Sequence, residues 1–268
     1  MLDHAHPAAC RRGIDIWLTY YQDIVDTRLL SNLRELLSDA EREREKHFCF
    51  ADDRLCYLVT RAMVRTVLSR YAPISPVNWI FSANTYGRPE VANCDIDATD
   101  LCFNISHARG LIALAVSRRC ALGIDVENLQ TRQASIDLAE RHFSPVEIAD
   151  LATVPAEQRQ DRFFEYWTFK ESYIKARGMG LSLPLDRFSF HYPRECTVQI
   201  TIDQKLGDDG NRWSFWQFRP TQEHLLAVCA ERLDNEAPVL SIRKIVPTVA
   251  DEVVEIPLLR SSEMRSEH

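Results

Sequence analysis

The spacing of apolar residues predicts strands and helices in two successive halves of the chain. Residues 13 to 20 alternate between apolar and polar, which predicts a strand. A capping box at Ser38-Asp39-Ala40-Glu41 begins a charged helical turn, and a longer helix follows Asp52, which suits an N-cap. The apolar positions of that helix recur at three- and four-residue spacing: Leu55, Leu58, Val59, Ala62, Met63 and Val67.

Three further strands complete a first half that we bound at residues 1–120. They cover residues 78 to 82, 101 to 105 and 111 to 117, and Tyr86-Gly87-Arg88-Pro89 forms a turn after the first of them. The second half, residues 121–232, begins with a strand over residues 121 to 127. Ser144-Pro145-Val146-Glu147 then begins a helix with proline at its first position.

A long helix dominates the second half. It covers about residues 161 to 177 and ends at Gly178 and Gly180. Strands follow at residues 188 to 192, 197 to 202, 213 to 218 and 225 to 230, with Gly207-Asp208-Asp209-Gly210 as a hairpin turn. Residues 233–268 carry no motif, and we interpret them as a C-terminal extension whose last residues are loose.

The two halves open with nearly the same tetrapeptide. Gly13-Ile14-Asp15-Ile16 and Gly123-Ile124-Asp125-Val126 begin the first strand of each half, which hints at a duplicated unit. This repeated tetrapeptide alone is weak evidence for a duplication, since two short matches in a long chain can be coincidence. Together with the order of elements, it indicates an α+β fold built from two similar α+β halves.

Composition favours an ordinary soluble globular protein. The chain has 268 residues, of which 46% are hydrophobic, and no apolar run approaches the roughly 20 residues that span a bilayer. His4, His6 and Pro7 stand where a secretory leader would have an apolar core, so we expect a cytoplasmic protein without a membrane partner. The eight cysteines lack metal-finger spacing and sit mostly in apolar stretches, which predicts buried thiols.

The net charge of −7 argues against nucleic acid as a general partner. A nucleic-acid binder carries a basic face to meet the phosphate backbone, and here the acidic residues outnumber the basic ones. A local basic patch remains compatible with this charge.

Asp125 and Glu127 are two residues apart on a predicted strand, so both side chains point to one face. Ile124 and Val126 then point to the core. Mg²⁺ prefers oxygen ligands and is usually held by one or two carboxylates together with a substrate phosphate. An isolated Asp-x-Glu would more simply be solvated surface, but the buried strand and a second acidic segment favour a metal site.

That second segment is the stripe formed by Trp167, Glu171 and Lys175, which lie four residues apart on the long helix. Glu171 is the candidate third metal ligand, and Lys175 is placed to neutralise a phosphate. The plain alternative for Lys175 is an ion pair with Glu171 worth about 0.3–0.5 kcal/mol. We interpret Trp167 mainly as core, Lys170 as structural or at the rim of the site, and Glu165 as a solvated carboxylate.

Ser106 and His107 end a predicted strand in Phe103-Asn104-Ile105-Ser106-His107, where functional residues often lie. Nucleophilic serine chemistry is not expected, because adjacent strand residues diverge and no Gly-x-Ser-x-Gly elbow is present. Both side chains can instead donate hydrogen bonds to phosphate oxygens.

These segments resemble one known family. Phe-Asn-Ile-Ser-His, Gly-Ile-Asp-Val-Glu and Trp-x-x-Lys-Glu-Ser-x-x-Lys-x-x-Gly-x-Gly-Leu, in this order and spacing, look like the Sfp-type 4′-phosphopantetheinyl transferases. The resemblance covers roughly residues 39 to 230 and includes the Tyr86-Gly87-Arg88-Pro89 turn. It implies two similar α+β halves packed as an intramolecular pseudo-dimer, with coenzyme A in the cleft between them and Mg²⁺ on its pyrophosphate.

The resemblance also implies residue roles, carried over position by position. Asp125, Glu127 and Glu171 would be the magnesium ligands, Lys175 would contact the pyrophosphate, and Ser106 and His107 would contact coenzyme A phosphates. The resemblance would also place Arg44 at the 3′-phosphate and Gly87 and Arg88 beside the adenine. The family more often has lysine at the position of Arg88, and other basic residues of the first half are alternatives to Arg44: Arg42, Lys46, Arg54 and Arg61.

The implied reaction moves the phosphopantetheine arm of coenzyme A onto a serine hydroxyl of an acyl or peptidyl carrier protein and releases 3′,5′-ADP. Glu171 is the first candidate for the base that takes the serine proton, and Glu127 is its competitor. Two alternatives stay open: a metal-dependent phosphodiesterase or nuclease, and a non-catalytic binder of coenzyme A or carrier domains. An internal duplication makes a monomer the simpler expectation.

Overall fold

The computed structural model describes residues 13–131 and 136–263, and these divide into two compact units. The first comprises residues 13–84, 89–119 and 239–255, and the second comprises residues 85–88, 120–238 and 256–263 in so far as they are described. Each unit combines sheets with helices, which confirms the α+β class with two sheet-rich halves. The division falls between residues 119 and 120, and the last part of the chain contributes to both units.

The helices and strands are numbered in chain order. They are β1 (Gly13–Thr19), α1 (Thr27–Glu35), α2 (Asp39–Lys46), α3 (Ala51–Leu68), β2 (Phe81–Ala83), β3 (Pro89–Val91), β4 (Leu101–Ala108), β5 (Leu111–Arg118), β6 (Leu122–Asn128), α4 (Ile136–His142), α5 (Pro145–Thr153), α6 (Arg159–Arg177), β7 (Phe188–His191), β8 (Gln199–Ile202), β9 (Trp213–Phe218), β10 (His224–Glu231), β11 (Val239–Val246), β12 (Ala250–Val253) and β13 (Leu258–Ser261).

The first unit is a five-stranded sheet of order β12-β11-β1-β5-β4 whose core includes helix α3. The predicted apolar face of α3 is correct: Leu58, Val59, Ala62, Met63 and Val67 are at most 1% exposed. Helix α2 begins at the predicted capping box, with both reciprocal hydrogen bonds of Ser38 and Glu41 formed. Burial of these apolar side chains is the main stabilisation of the unit.

Two details of the first unit differ from the expectation. The N-cap of α3 is Phe50, and Asp52 lies in the first helical turn, where its carboxylate accepts hydrogen bonds from Tyr21 and Gln22. The strand expected at residues 78 to 82 is the shorter β2, preceded by a single 3₁₀ turn at Pro76–Asn78. Strand β2 pairs with β3, which the sequence did not indicate. Strand β3 has only three residues and begins with Pro89, so it shows little periodicity to detect.

The second unit is a four-stranded sheet of order β13-β9-β10-β6 covered by helix α6, with a separate hairpin of β7 and β8. Helix α6 ends where predicted, because Gly178 adopts a left-handed conformation with φ of 65° and caps the helix through its backbone N–H. Helix α5 begins at the expected capping box, in which Ser144 and Glu147 bind each other's backbone. The end of α6 and the start of α5 are therefore predictable from the local sequence.

The predicted hairpin turn at residues 207 to 210 is wrong. Strand β8 pairs with β7, whereas β9 pairs with β10 and β13, so the segment connects two different sheets. The C-terminal extension also proves to be structured. Strand β11 pairs in parallel with β1, and β13 pairs with β9, so the extension supplies a strand to each unit.

The cysteines are only partly buried. Of the seven in the described residues, Cys56, Cys120 and Cys229 are buried and Cys102 is intermediate, whereas Cys49, Cys94 and Cys196 are exposed. Cys10, the segment with His4, His6 and Pro7, and the final residues 264–268 lie outside the described residues. No described helix has the length and apolar character needed to cross a bilayer.

Candidate active site

The two carboxylates of β6 face the same helix. Nζ of Lys175 lies 2.7 Å from Oδ1 of Asp125, and the indole Nε1 of Trp167 donates a hydrogen bond of 3.0 Å to Oε1 of Glu127. Both partners belong to α6, so the strand alternation that places Asp125 and Glu127 on one face holds in the structure. Ile124 and Val126, on the other face, are at most 2% exposed.

Glu171 lies on the same stripe of α6. It is one turn after Trp167 and one turn before Lys175, and its side chain is half-buried. Lys175 also donates to the backbone carbonyl of Ile124 at 3.1 Å. Its ammonium is therefore held against β6 by this carbonyl and by the Asp125 carboxylate. Since the Asp125 side chain is only 7% exposed and that of Lys175 is 25% exposed, water screens this pair less than a surface pair.

Gly123 explains how strand and helix come close enough for these contacts. A Cβ atom at position 123 would lie 2.0 Å from the backbone oxygen of Ser172 and 2.4 Å from the backbone nitrogen of Ala176. Any side chain there would push α6 away from β6. The glycine that opens the Gly-Ile-Asp-Val-Glu segment therefore allows a close approach of two backbones.

Arg88 joins the same two elements from the turn that precedes β3. Its Nη1 donates to the backbone oxygens of Lys175 at 3.0 Å and Ala176 at 3.4 Å, and its Nη2 donates to that of Leu122 at 3.4 Å. The first two oxygens belong to the last turn of α6, where carbonyls lack the N–H of a following helical turn, although that of Lys175 also accepts from the Gly178 N–H. The predicted contact of Arg88 with adenine stays a prediction. In the structure, its guanidinium links the last turn of α6 to the start of β6.

Lys170, between the stripe residues in sequence, is structural. It is fully buried, lies 2.8 Å from Glu147, and donates to the backbone oxygens of Leu185 and Phe188 at 2.8 Å each. Burial lowers the pKa of the Lys170 ammonium, and the Glu147 carboxylate opposes that shift. Lys170 thus anchors the core-facing side of α6.

Glu165 is not the solvated carboxylate that we expected. It forms ion pairs with Arg162 at 3.2 Å and with Arg260 at 3.1 Å, and its side chain is 18% exposed. Because Arg260 lies on β13, this contact ties α6 to the C-terminal extension. No pattern in the sequence indicates this contact, since the extension carries no motif.

The residues assigned to coenzyme A in the first half lie in the first unit. Ser106 and His107 are near the end of β4, an edge strand, with Ser106 buried and His107 exposed. Arg44 is exposed in the last turn of α2, with its guanidinium 5.9 Å from the ring centre of Tyr57. Contact of these three residues with coenzyme A stays a prediction.

The remaining assigned residue, Gly87, lies in the turn of residues 85–88, which belongs to the second unit. Its φ of 85° lies in the left-handed region, which glycine adopts without strain. The alternatives to Arg44 are already engaged: Arg42 pairs with Asp39, Lys46 with Glu43, Arg61 with Glu41, and Arg54 donates to the Phe48 carbonyl.

The donor chemistry of the β6–α6 face suits Mg²⁺ bound together with a phosphate. Within residues 13–131 and 136–263, no group of three or more His, Cys, Asp or Glu side chains is arranged to hold a metal ion. The three-carboxylate cluster expected from the sequence is therefore not preformed there. A magnesium ion in a phosphate-transfer site needs only one or two carboxylates besides the substrate phosphate, and Asp125 and Glu127 provide two on one face.

Two family models match the chain. The one described as the 4′-phosphopantetheinyl transferase superfamily matches residues 121–229, and the one described as 4′-phosphopantetheinyl transferase, N-terminal, matches residues 26–119. The first match contains β6 and α6, the elements that carry the acidic face. The second contains β4 with Ser106 and His107.

Named relatives agree with the family models. A protein of Bacillus subtilis named 4′-phosphopantetheinyl transferase is 34% identical over 199 residues, which is 74% of this chain and 84% of that relative. The 4′-phosphopantetheinyl transferase Sfp of Bacillus subtilis strain 168 is 33% identical over 198 residues, with the same shares covered. The 4′-phosphopantetheinyl transferase HetI of Nostoc is 35% identical over 153 residues, 57% of this chain and 64% of that relative.

Proposed function

Because the chain belongs to the 4′-phosphopantetheinyl transferase family, we propose that it moves the 4′-phosphopantetheine arm of coenzyme A onto a serine hydroxyl of an apo acyl or peptidyl carrier protein. The reaction is proposed to require Mg²⁺ and to release adenosine 3′,5′-bisphosphate (3′,5′-ADP). The observation that carries the proposal is the ion pair of Lys175 with Asp125 on the face where β6 meets α6. This face offers carboxylates and an ammonium together, which is what phosphoryl transfer to a hydroxyl needs.

Mg²⁺ would be held by Asp125, Glu127 and Glu171 together with the pyrophosphate of coenzyme A. When bound, the ion supplies neutralisation of the phosphate charge that grows as the bond to the leaving group breaks. The support from the structure is the shared face of Asp125 and Glu127 and the position of Glu171 on the helix that this face meets.

Lys175 is proposed to bind a pyrophosphate oxygen. Its ammonium sits one helical turn from Glu171 and already lies against the acidic strand, so a phosphate that enters this face meets a fixed positive charge. A fixed cation stabilises a developing negative charge without reorganisation during the reaction. Lys175 thereby orients the substrate and stabilises the departing 3′,5′-ADP.

Glu171 is proposed as the general base. It takes the proton of the carrier serine while the serine oxygen forms a bond to the phosphorus that carries pantetheine, and the bond from that phosphorus to the oxygen of 3′,5′-ADP breaks. Positioned proton transfer of this kind contributes about 10²- to 10⁴-fold. Glu127 is the competing base, but its Oε1 already accepts the Trp167 indole N–H, which favours Glu171 as the base.

The proposed partners are coenzyme A and carrier domains, and we propose that the enzyme acts as a cytoplasmic monomer. Ser106, His107 and Arg44 are proposed to contact the phosphates of coenzyme A, and Gly87 and Arg88 to border its adenine. Carrier domains of this kind are acidic, so an enzyme with net charge −7 must meet them through a local basic or apolar surface.

Family membership favours transfer over the two alternatives from the sequence. A metal-dependent nuclease needs a basic track for the nucleic-acid backbone, and two of the three basic side chains of α2, Arg42 and Lys46, are paired with carboxylates of the same helix. A non-catalytic binder would have no use for an ammonium held among candidate metal ligands. Incubation with Mg²⁺ and plasmid separates the nuclease, which would nick DNA in the absence of coenzyme A.

The direct test is mass spectrometry of several apo carrier proteins after incubation with the enzyme, coenzyme A and Mg²⁺. The proposal expects a mass increase equal to one phosphopantetheine on at least one carrier and an equal amount of 3′,5′-ADP. A binder would leave every carrier unmodified, and hydrolysis of coenzyme A without carrier modification would indicate a phosphodiesterase.

A further inference from the structure

We propose that Trp167 is a positioning residue that orients the Glu127 carboxylate for the metal ion through its indole N–H. The inference rests on the proposed function, because it assigns a role toward the proposed magnesium ligand. Its basis is the hydrogen bond of 3.0 Å from Nε1 of Trp167 to Oε1 of Glu127. The sequence favoured a core position for this tryptophan, and the structure shows a polar role in addition.

The indole itself is held in place by packing. Its ring stacks on Phe163, one turn earlier in α6, with centroids 5.8 Å apart and planes 13° apart. The ring of His142, on α4, meets it edge-on at 6.0 Å. A ring constrained on two sides presents its N–H in one direction, so the carboxylate that accepts it is also fixed.

The consequence for metal binding follows from the strand geometry. Glu127 lies near the end of β6, and its side chain is half-buried. Glutamate has one more side-chain torsion than aspartate and therefore more freedom to lose when it binds an ion. Partners outside the ligand set that orient a ligand typically change metal affinity by about 10- to 100-fold when they are removed.

Trp167→Phe tests the role, because phenylalanine keeps an aromatic ring but removes the N–H donor together with part of the indole surface. Trp213→Phe is the matched control: Trp213 also donates its indole N–H to a carboxylate of the second unit, Asp208, at 2.8 Å. Mn²⁺ serves as the probe, and its binding to the full-length enzyme with saturating coenzyme A is followed by the electron paramagnetic resonance of free Mn²⁺.

We expect Trp167→Phe to raise the Mn²⁺ dissociation constant by about 10-fold or more. The Mg²⁺ concentration for half-maximal carrier loading should rise in parallel, and the rate at saturating Mg²⁺ should approach that of the wild type. A merely structural role would lower the melting temperature and leave both metal constants unchanged. Trp213→Phe is expected to leave both metal constants unchanged.

A double-mutant cycle with Glu127→Ala keeps the test decisive even if Trp167→Phe is less stable. In the Glu127→Ala background, Trp167→Phe should weaken Mn²⁺ binding no further, because the carboxylate that it orients is gone. Equal effects in both backgrounds, or unchanged Mn²⁺ binding in folded Trp167→Phe, would overturn the inference. Carrier loading by the wild type tests the proposed function separately. The effect of Trp167→Phe on Mn²⁺ binding can be present or absent whether or not a carrier protein is modified.

Discussion

Lys175 and Asp125 form an ion pair of 2.7 Å between the last turn of α6 and the middle of β6. The two residues are 50 positions apart in the chain. Their contact joins the helix that carries Glu171 to the strand that carries Glu127. This ion pair therefore holds the two elements of the β6–α6 face together.

Lys175→Ala should reduce turnover far more than stability. The variant removes the proposed phosphate ligand, whereas the loss to folding comes from the ion pair with Asp125 and the hydrogen bond to the Ile124 carbonyl and is expected to be about 1–3 kcal/mol. Carrier-loading rate and urea unfolding of the same preparation measure the two effects. Arg187→Ala, which breaks the exposed ion pair with Asp203, is the control and should change neither quantity by much. Loading at the wild-type rate by Lys175→Ala would remove this residue from the site.

Gly123→Ala should separate α6 from β6. The new Cβ would meet backbone atoms at 2.0 and 2.4 Å, so the helix must shift, at a cost of about 1–3 kcal/mol. A displacement near 1 Å at a catalytic group can reduce the rate by about 10²-fold. The measurement is loading rate at a temperature where the variant is folded.

Gly207→Ala provides the comparison for that variant. Position 207 has a φ of 61° but nothing within 4 Å of a new Cβ, so alanine adds backbone strain without displacing a neighbour. It should lose stability by about 1–2 kcal/mol and keep its loading rate. If Gly123→Ala also retained its rate, the close approach of β6 and α6 would not matter for function.

The site was partly predictable because its signals are local. Helix spacing put Trp167, Glu171 and Lys175 on one stripe, and strand alternation put Asp125 and Glu127 on one face. What stayed hidden is which of these side chains meet. The Trp167 hydrogen bond to Glu127 joins residues 40 positions apart, and no periodicity encodes such a pairing.

The fold shows the same division between local and distant interactions. The capping boxes at Ser38 and Ser144 and the end of α6 at Gly178 depend on a few neighbouring residues and were correct. Strand β11 was missed because its partner β1 lies at the other end of the chain. The expected hairpin at residues 207 to 210 failed because turn chemistry does not say whether the strands around it pair with each other.

The C-terminal extension should be essential for the first unit to fold. Ile245 on β11 is 1% exposed and belongs to the same core as Trp17 and Met63. Ile245→Ala is expected to cost about 2–5 kcal/mol of unfolding free energy. Val249→Ala, at a position 63% exposed in the same extension, should stay within about 0.5 kcal/mol of wild type. Equal unfolding midpoints in urea would show that the extension adds little.

Lys170→Met should destabilise the second unit strongly, because it leaves the buried Glu147 carboxylate without its cation. Breaking a buried pair in this way costs about 3–5 kcal/mol. Adding Glu147→Gln removes the unpaired charge and keeps an acceptor for the Phe190 backbone N–H. The double variant should therefore be more stable than Lys170→Met alone in urea unfolding. A double variant less stable than the single would indicate that Lys170 acts mainly through its carbonyl contacts.

Carrier loading by Asp125→Ala and Glu171→Ala tests the central claim most directly. Asp161→Ala, at a half-exposed carboxylate in the first turn of the same helix, is the control. With melting temperatures measured in parallel, the account predicts that both site variants stay folded and leave an apo carrier without the phosphopantetheine mass, while Asp161→Ala loads it normally. Loading near the wild-type rate by either site variant would contradict the assignment of the β6–α6 face as the catalytic site.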